Sequence, residues 1–287
     1  MALCLISLGS NMGDRDALMR SAIEQIIAEP NVRSIQCSRV FTTPPVGGPK
    51  GQSPFLNAVA VLETTLGTDG VLKLLQQTEH SLGRVRKQRW DQRRIDLDVV
   101  LYGDFVGATL RLKLPHPRYT ARTFVLAPAQ DVASDWCDPR FGWSLQQLYE
   151  HLQKPPASIA LVGGDAPLRR EICQQVASRY DIDIRQEEQT SRPWVADFVP
   201  DAIYGMSPAD ASDCPGLPRL IARLHQTTPQ SHWPSPQFIY PQSWCWPEYR
   251  LDVDDLDWAV SEVAAAIDSM QCDVHPVTSD GNWWKTK

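Results

Sequence analysis

No stretch of this 287-residue sequence approaches the ~20 consecutive apolar residues needed to cross a bilayer. Its opening, Met-Ala-Leu-Cys-Leu-Ile-Ser-Leu-Gly, lacks the basic residues that begin a secretory leader, so a cytoplasmic protein with no membrane partner is predicted. The seven cysteines, Cys4, Cys37, Cys137, Cys173, Cys214, Cys245 and Cys272, are odd in number and never two or three residues apart. That pattern argues against a disulfide framework and against a Cys-x-x-Cys zinc site. Excess positive charge is missing as well: 28 Lys and Arg stand against 34 Asp and Glu, and the net of −6 predicts no nucleic-acid partner. Internal repeats and low-complexity tracts are absent, which excludes solenoids and disordered arrays.

What is present is an ordinary globular composition, 43% hydrophobic and 22% charged, enough to bury a core. The composition is uneven along the chain. Residues 1–155 carry 18 Lys and Arg against 15 Asp and Glu, whereas residues 156–287 carry 10 against 19. Seven of the ten tryptophans and thirteen of the 23 prolines also fall in the second half. With Pro155-Pro156 as linker, two domains are predicted, at 1–154 and 158–287, the first expected to keep a core of its own if cut at Pro155.

Residues 2–8 form an apolar run ending at Gly9-Ser10-Asn11, a buried strand entering a turn. Asp14 or Asp16 caps a helix to about Glu29, with Leu18, Ala22 and Ile26 on one face. Val32–Thr42 alternates as a strand, Thr43–Pro54 with four prolines and three glycines is a loop, and Phe55–Thr65 is another strand. Thr68 or Asp69 caps a second helix closed by Gly83; Ile95–Tyr102 and Ala108–Leu114 are strands about a Gly103–Gly107 turn. The order β-α-β-β-α-β predicts an α+β, ferredoxin-like fold, a split βαβ with an antiparallel sheet and its helices on one face. The loop Leu114-Pro-His-Pro117 and helices at Arg122–Val132 and Ser144–Leu152 complete the half.

The chemistry concentrates between Gly83 and Asp98. Six of the eleven residues from Arg84 to Arg94 are Lys or Arg, and they precede Asp96 and Asp98 on a strand. Side chains two apart on a strand share a face about 7 Å apart. The strand is otherwise apolar, so two carboxylates on one face demand counter-ions. Paired hard oxygen ligands suit Mg²⁺, which completes its octahedron with water and phosphate oxygens, and arginine forks grip phosphates bidentately. Together they point to a Mg²⁺-polyphosphate site. On the residues alone, Phe55 and Phe124 are as readily core residues as ligand contacts, and His116 between two prolines is as readily an ordinary loop residue.

Leu8-Gly-Ser-Asn11, Thr42-Thr-Pro-Pro45, Phe55-Leu-Asn-Ala58, Gly83-Arg-Val-Arg86, Arg93-Arg-Ile-Asp-Leu-Asp98, and Pro115-His-Pro117 followed by Arg122-Thr-Phe124, stand in the order found in one family. Over residues 3–152 the chain resembles the 6-hydroxymethyl-7,8-dihydropterin pyrophosphokinases, which move pyrophosphate from ATP to a pterin alcohol in folate biosynthesis. The resemblance implies that Asp96 and Asp98 hold two Mg²⁺ ions, and that Arg84 and Arg93 join them in catalysis. It implies nucleotide contacts from Glu79, Arg84, Arg86, Arg93, His116 and Arg122. It places the pterin flat between Phe55 and Phe124, its edge read by Asn57, Thr43 and the backbone near Pro45 and Val46, with Trp90 covering it. Substrates would be ATP and 6-hydroxymethyl-7,8-dihydropterin, with AMP released.

In the second half, Ser158–Val162 reads as a strand, Gly163-Gly164 as a turn, Leu168–Tyr180 as a helix and Asp181–Arg185 as a short strand, the start of an α/β domain. Residues 208–247, with eight prolines, are expected to hold little regular structure, and Asp254 or Asp255 caps a closing helix. The turn stands where a P-loop would, but Leu168, Arg169 and Arg170 occupy the second glycine, lysine and hydroxyl positions. A degenerate P-loop, nucleoside-kinase-like domain is expected, and the acidic run Asp252–Asp257 reads as a solvated helix start. Two alternatives stay open: a bifunctional enzyme whose second half phosphorylates a (deoxy)nucleoside, and a non-catalytic pterin- or nucleotide-binding module.

Overall fold

Strand β1 (Ala2–Ser10) forms the middle of an antiparallel sheet because its apolar run is flanked by two further apolar runs able to bury both its edges. The computed structural model describes residues 1–49, 51–84, 93–109, 111–185, 191–200, 203, 206, 216–225 and 245–285. After β1 come α1 (Arg15–Ile27), β2 (Val32–Cys37), β3 (Phe41–Thr43), β4 (Phe55–Thr64), α2 (Thr68–Ser81) and β5 (Asp96–Tyr102). Strand β1 pairs antiparallel with β4 on one side and β5 on the other, and β2 and β3 both pair with β4. This is the predicted antiparallel, split βαβ order.

The two faces of the sheet differ. Leu56, Ala58, Leu97 and Val99 pack beneath α1 and α2 with Ile23 and Leu75. The intervening positions face the other way: Phe55, Asn57, Asp96 and Asp98 line a cleft at one end, while Val59 and Val100 enter a second core at the other. Over that second core lie a 3₁₀ turn (Tyr119–Ala121), α3 (Thr123–Ala129) and α4 (Leu145–Leu152).

Several sequence expectations are corrected. The strand expected at Val32–Thr42 breaks in two because Ser38 Oγ takes the Val59 N–H (3.0 Å) and the Arg39 N–H goes to Asp131 Oδ2 (2.9 Å), pulling the backbone off the ladder. The strand expected at Ala108–Leu114 shrinks to β6 (Gly107–Ala108) and β7 (Lys113–Leu114), since Thr109 Oγ1 accepts the N–H groups of Arg111 and Leu112 in a tight turn. Gly67, not Thr68 or Asp69, is the N-cap of α2. The capping aspartate of α1 is Asp14, which accepts from Ala17 N–H at 3.1 Å.

The second half forms a parallel sheet ordered β12-β11-β8-β10-β9. Its strands are β8 (Ser158–Gly163), β9 (Asp183–Ile184), β10 (Trp194–Ala196), β11 (Leu220–His225) and β12 (Glu248–Asp252), with α5 (Ala166–Arg179) after β8 and α6 (Leu256–Gln271) after β12. Strand β11 lies inside the proline-rich stretch expected to hold little structure. Its run Leu220-Ile-Ala is fully buried between β8 and β12, and burial overrides the local proline content. The acidic run is likewise not wholly solvated: Lys113 pairs with Asp252, joining β7 to β12, and Arg179 pairs with Asp257 at 2.7 Å.

One core spans both halves. Leu5, Val59, Leu126 and Leu148 from the first half belong to the same buried cluster as Ile159, Ile221, Val263 and Ile267 from the second. The chain then returns: β13 (His275–Pro276) pairs with β3, Val277 N–H donates to Val40 O at 2.8 Å, and buried Trp283 donates its indole N–H to Ser38 O at 2.8 Å. The first half has a cluster of its own beneath α1 and α2, as expected, but its other sheet face shares a core with the second half. A chain ending at Lys154 uncovers the α3–α4 face and loses the Trp283 anchor, so it is expected to bind a hydrophobic dye and to aggregate. A monomeric, dye-silent fragment melting with the full chain would contradict the shared core.

Candidate active site

The cleft, about 610 Å³, opens where the sheet face changes from apolar to polar, and both halves line it. Strand β5 enters with Asp96 opposite Gly9 and Asp98 opposite Ser7, which leaves room above both carboxylates. Glu79 of α2 fixes this strand from beneath: it is 4% exposed, and Oε1 accepts the Leu97 N–H at 2.8 Å, between the two aspartates, while also pairing with Arg84. Ser10 and Asn11 fix the chain that leads into β5. Ser10 Oγ donates to Arg94 O at 2.5 Å, Asn11 Oδ1 accepts the Arg93 N–H at 2.7 Å, and the Asn11 N–H donates to Arg93 O at 3.0 Å.

Each carboxylate has its cations. Asp96 meets Arg84 at 2.6 Å through Oδ1 and Arg93 through Oδ2. Asp98 Oδ2 lies 3.3 Å from Arg122 Nη1 and 3.7 Å from His116 Nε2. The Arg118 N–H donates to His116 Nδ1 at 3.1 Å, so the neutral imidazole carries its proton on Nε2, toward Asp98. Burial, then Arg122 and Arg118, push the His116 pKa well below its ordinary value, with Asp96 opposing them.

Toward the other end, Phe55 of β4 and Phe124 of α3 both line the cleft, and the Arg122 guanidinium sits 5.6 Å from the Phe124 ring centroid. Asn57 and Thr43 are buried side by side, the Asn57 amide donating to Thr43 Oγ1 at 2.8 Å. Gly9 faces this amide, and a Cβ there would stand 3.2 Å from Asn57 Oδ1. Thr43, Pro44 and Val46 line the cleft. Pro45 is half-buried and outside the lining. Arg86 and Trp90 lie outside the described residues.

The residues fit an open divalent-cation site. Among the described residues no group of three or more His, Cys, Asp and Glu is placed to hold a metal, so no closed cage exists. Two carboxylates on one strand face beside a ring of arginines suit a cation that draws its remaining ligands from water and a phosphate chain. Sequence reading missed Ser10, Asn11 and Gly9 as supports of the site, although all three stand in the Leu8-Gly-Ser-Asn11 motif. It also missed Arg118 and the residues of β12 and α6 that wall the cleft, for which no local signal exists.

The family model of 7,8-dihydro-6-hydroxymethylpterin-pyrophosphokinase (HPPK) matches residues 5–134. The 2-amino-4-hydroxy-6-hydroxymethyldihydropteridine pyrophosphokinase of Methylorubrum extorquens is 39% identical over 135 residues, covering 47% of this chain and 85% of the relative. The protein of the same name from Bacillus subtilis is 38% identical over 130 residues, covering 45% and 77%. A solved HPPK-DHPS A437G structure from Plasmodium falciparum aligns at a TM-score of 0.41 and 11% identity, over 78% of this chain and 64% of that one. That likeness is too loose to assign a fold, and this chain spans less than two thirds of that protein.

Because the folded state lowers the His116 pKa, the neutral ring contributes its full stability above the ordinary value of 6.5, and that contribution is lost as pH falls below it. The His116 ring resonances are therefore expected to stay in the neutral position between pH 8 and pH 6. A midpoint near 6.5 would contradict the burial and the arginine field at this site.

Proposed function

The chain belongs to the 7,8-dihydro-6-hydroxymethylpterin-pyrophosphokinase family, and on that premise we propose that the cleft moves a pyrophosphate group from ATP to the hydroxymethyl oxygen of the pterin, releasing AMP. The activity is that of a transferase of folate biosynthesis using ATP as co-substrate and Mg²⁺. The observation that carries the site assignment is the pair Asp96 and Asp98 on one strand face, each held against cations at the floor of the cleft that both halves line. Among the described residues no helix is long and apolar enough to cross a membrane.

Asp96 and Asp98 would hold two Mg²⁺ ions, which when bound neutralise the phosphate chain and orient it for in-line displacement. The chain's own residues do the rest. Arg84 and Arg93, paired to Asp96 here, are within reach of exchanging that carboxylate for phosphate oxygens, while Glu79 keeps Arg84 from leaving the site. His116 offers a neutral Nε2–H donor and Arg122 a fixed positive charge on the Asp98 side. Phe55 and Phe124 form a stacking slot, each well-placed ring adding about 1 kcal/mol beyond burial. Asn57 and Thr43 present a donor–acceptor edge to the heterocycle, and Val46 closes one side. Attack by the hydroxymethyl oxygen on the β-phosphorus would form the new P–O bond as the bond from the β-phosphorus to the bridging α–β oxygen breaks, AMP leaving with that oxygen and the hydroxyl proton passing to water.

For the second half we read a nucleoside-kinase-like P-loop fold that has lost its phosphate site. Three observations support this. Strand β8 is central in the parallel sheet, and its Gly163-Gly164 turn opens α5. Gly163 packs against β11 so closely that a Cβ would meet Leu224 O at 2.6 Å. Where phosphate would sit, the Arg169 guanidinium fills the turn, donating to Gly163 O, Gly164 O and Asp197 O at 2.9–3.1 Å, and Asp165 caps the first turn of α5 with a negative charge. The guanidinium is committed to backbone carbonyls and the Leu168 N–H to Asp165, so these donors are already engaged within the chain.

Asp96→Asn and Asp98→Asn should each cut AMP release from MgATP and the pterin alcohol by at least roughly 100-fold, with an unchanged circular dichroism spectrum. Loss of fold together with activity would make the pair structural ion-pair partners instead. The Asp98→Asn chain, whose second half is intact, should form no ADP from ATP and a deoxynucleoside; ADP formation would favour the bifunctional reading. Gly9→Ala should raise KM for the pterin several-fold by displacing the Asn57 amide while leaving KM for MgATP within about twofold. Equal effects on both substrates would show that Gly9 supports the strand and not the amide.

A further inference from the structure

The segment that carries His116 and Arg122 is built into the second half. The Arg250 N–H of β12 donates to Pro117 O at 2.8 Å, Thr120 Oγ1 donates to Glu248 O at 2.8 Å, and Thr123 Oγ1 donates to Ser269 O on α6. The fourth tie is an ion pair between Arg118 and Glu262 of α6. Glu262 is 2% exposed, and its two oxygens are divided: Oε1 accepts from Arg118 and Oε2 from the buried hydroxyl of Tyr249. Arg118, Glu262 and Tyr249 share the cleft with Asp98, Arg122 and His116.

From this arrangement we propose that Glu262 is a positioning residue for the pyrophosphokinase cleft: by holding Arg118, it keeps a second cation, beside Arg122, off Asp98 and leaves that carboxylate available to the metal. The inference rests on the reading of Asp98 as a metal ligand. Asp98 already faces Arg122 and His116 from the segment above it. Arg118 and Asp98 line the same cleft and are joined through His116, which takes the Arg118 N–H on Nδ1 and faces Asp98 Oδ2 with Nε2 at 3.7 Å. Arg118 is half-buried, and a guanidinium deprived of its carboxylate at such a place turns to the next one available. In Glu262→Gln that next carboxylate is Asp98. Arg118 then competes with the divalent ion for the same oxygens, and the second half acts on the chemistry of the first without touching either substrate's reacting atoms.

The test uses the full chain and reads metal binding apart from turnover. Mn²⁺ binding in the presence of α,β-methylene-ATP is followed by electron paramagnetic resonance for wild type, Glu262→Gln and the double variant Glu262→Gln/Arg118→Met. Glu262→Gln should weaken Mn²⁺ binding by about tenfold, the range seen when a group supporting a metal ligand is removed, and removal of the competing cation in the double variant should restore it. In turnover, the Mg²⁺ concentration for half-maximal AMP release should rise by a similar factor in Glu262→Gln with KM for the pterin unchanged. A folded Glu262→Gln that binds Mn²⁺ as wild type does, or a double variant as weak as the single one, would overturn the proposal. Should Glu262→Gln not fold, Tyr249→Phe, which loosens the carboxylate but keeps its charge, decides: weaker Mn²⁺ binding supports the proposal and unchanged binding overturns it. Failure of wild type to release AMP would instead sink the pyrophosphokinase reading, while the Mn²⁺ series would still report on Glu262.

Discussion

Two carboxylates on a strand that is otherwise buried are unstable unless cations face them, and the architecture of this chain follows from meeting that demand. Strand β5 alternates Leu97 and Val99 into the core beneath α1 and α2 with Asp96 and Asp98 on the opposite face. A one-residue slip of register would bury both charges, so register and function are specified together. Glu79 locks that register by taking the Leu97 N–H between the two aspartates, and the same carboxylate brings Arg84 to Asp96. Arg93 and Arg122 complete the neutralisation from opposite sides. The cations that face these carboxylates are of the kind a phosphate chain would recruit, so ligand binding would exchange ion-pair partners where it would otherwise have to create them.

The same sheet face explains why the two halves are inseparable. Its polar end is the cleft, and its apolar end carries Val59 and Val100 into a core that continues through α3 and α6 to the second sheet. The closing strand β13 and Trp283 return to the edge and break of the first sheet. The second half, whose Gly163-Gly164 turn is filled by the Arg169 side chain, has a physical role in this arrangement. It covers apolar surface and fixes the segment bearing His116 and Arg122 at four points.

Much of the site was legible because its chemistry is local. Asp96 and Asp98 declare themselves by spacing, and the arginines before them by density. The order of strands and helices also gave the antiparallel topology directly. What escaped was long-range. Nothing near Val32–Thr42 reveals that Arg39 leaves the ladder for Asp131, 92 residues away. Leu220–His225 is masked in the sequence by surrounding prolines, and only its burial between two parallel strands makes it a strand. Glu262 looks like one more charge on an alanine-rich helix until the fold brings it to Arg118, 144 residues earlier. Composition carries no information about whether two halves share a core, or that β13 of the second half joins the first sheet.

The central claim is that this cleft transfers two phosphoryl units as one group. The chain would be given the pterin alcohol and ATP labelled with ³²P at the α, β or γ position in separate reactions, and the products separated. Transfer of pyrophosphate places both the β and the γ label in the pterin product and the α label in AMP. Appearance of the γ label alone in the pterin product, with ADP left behind, would contradict the account.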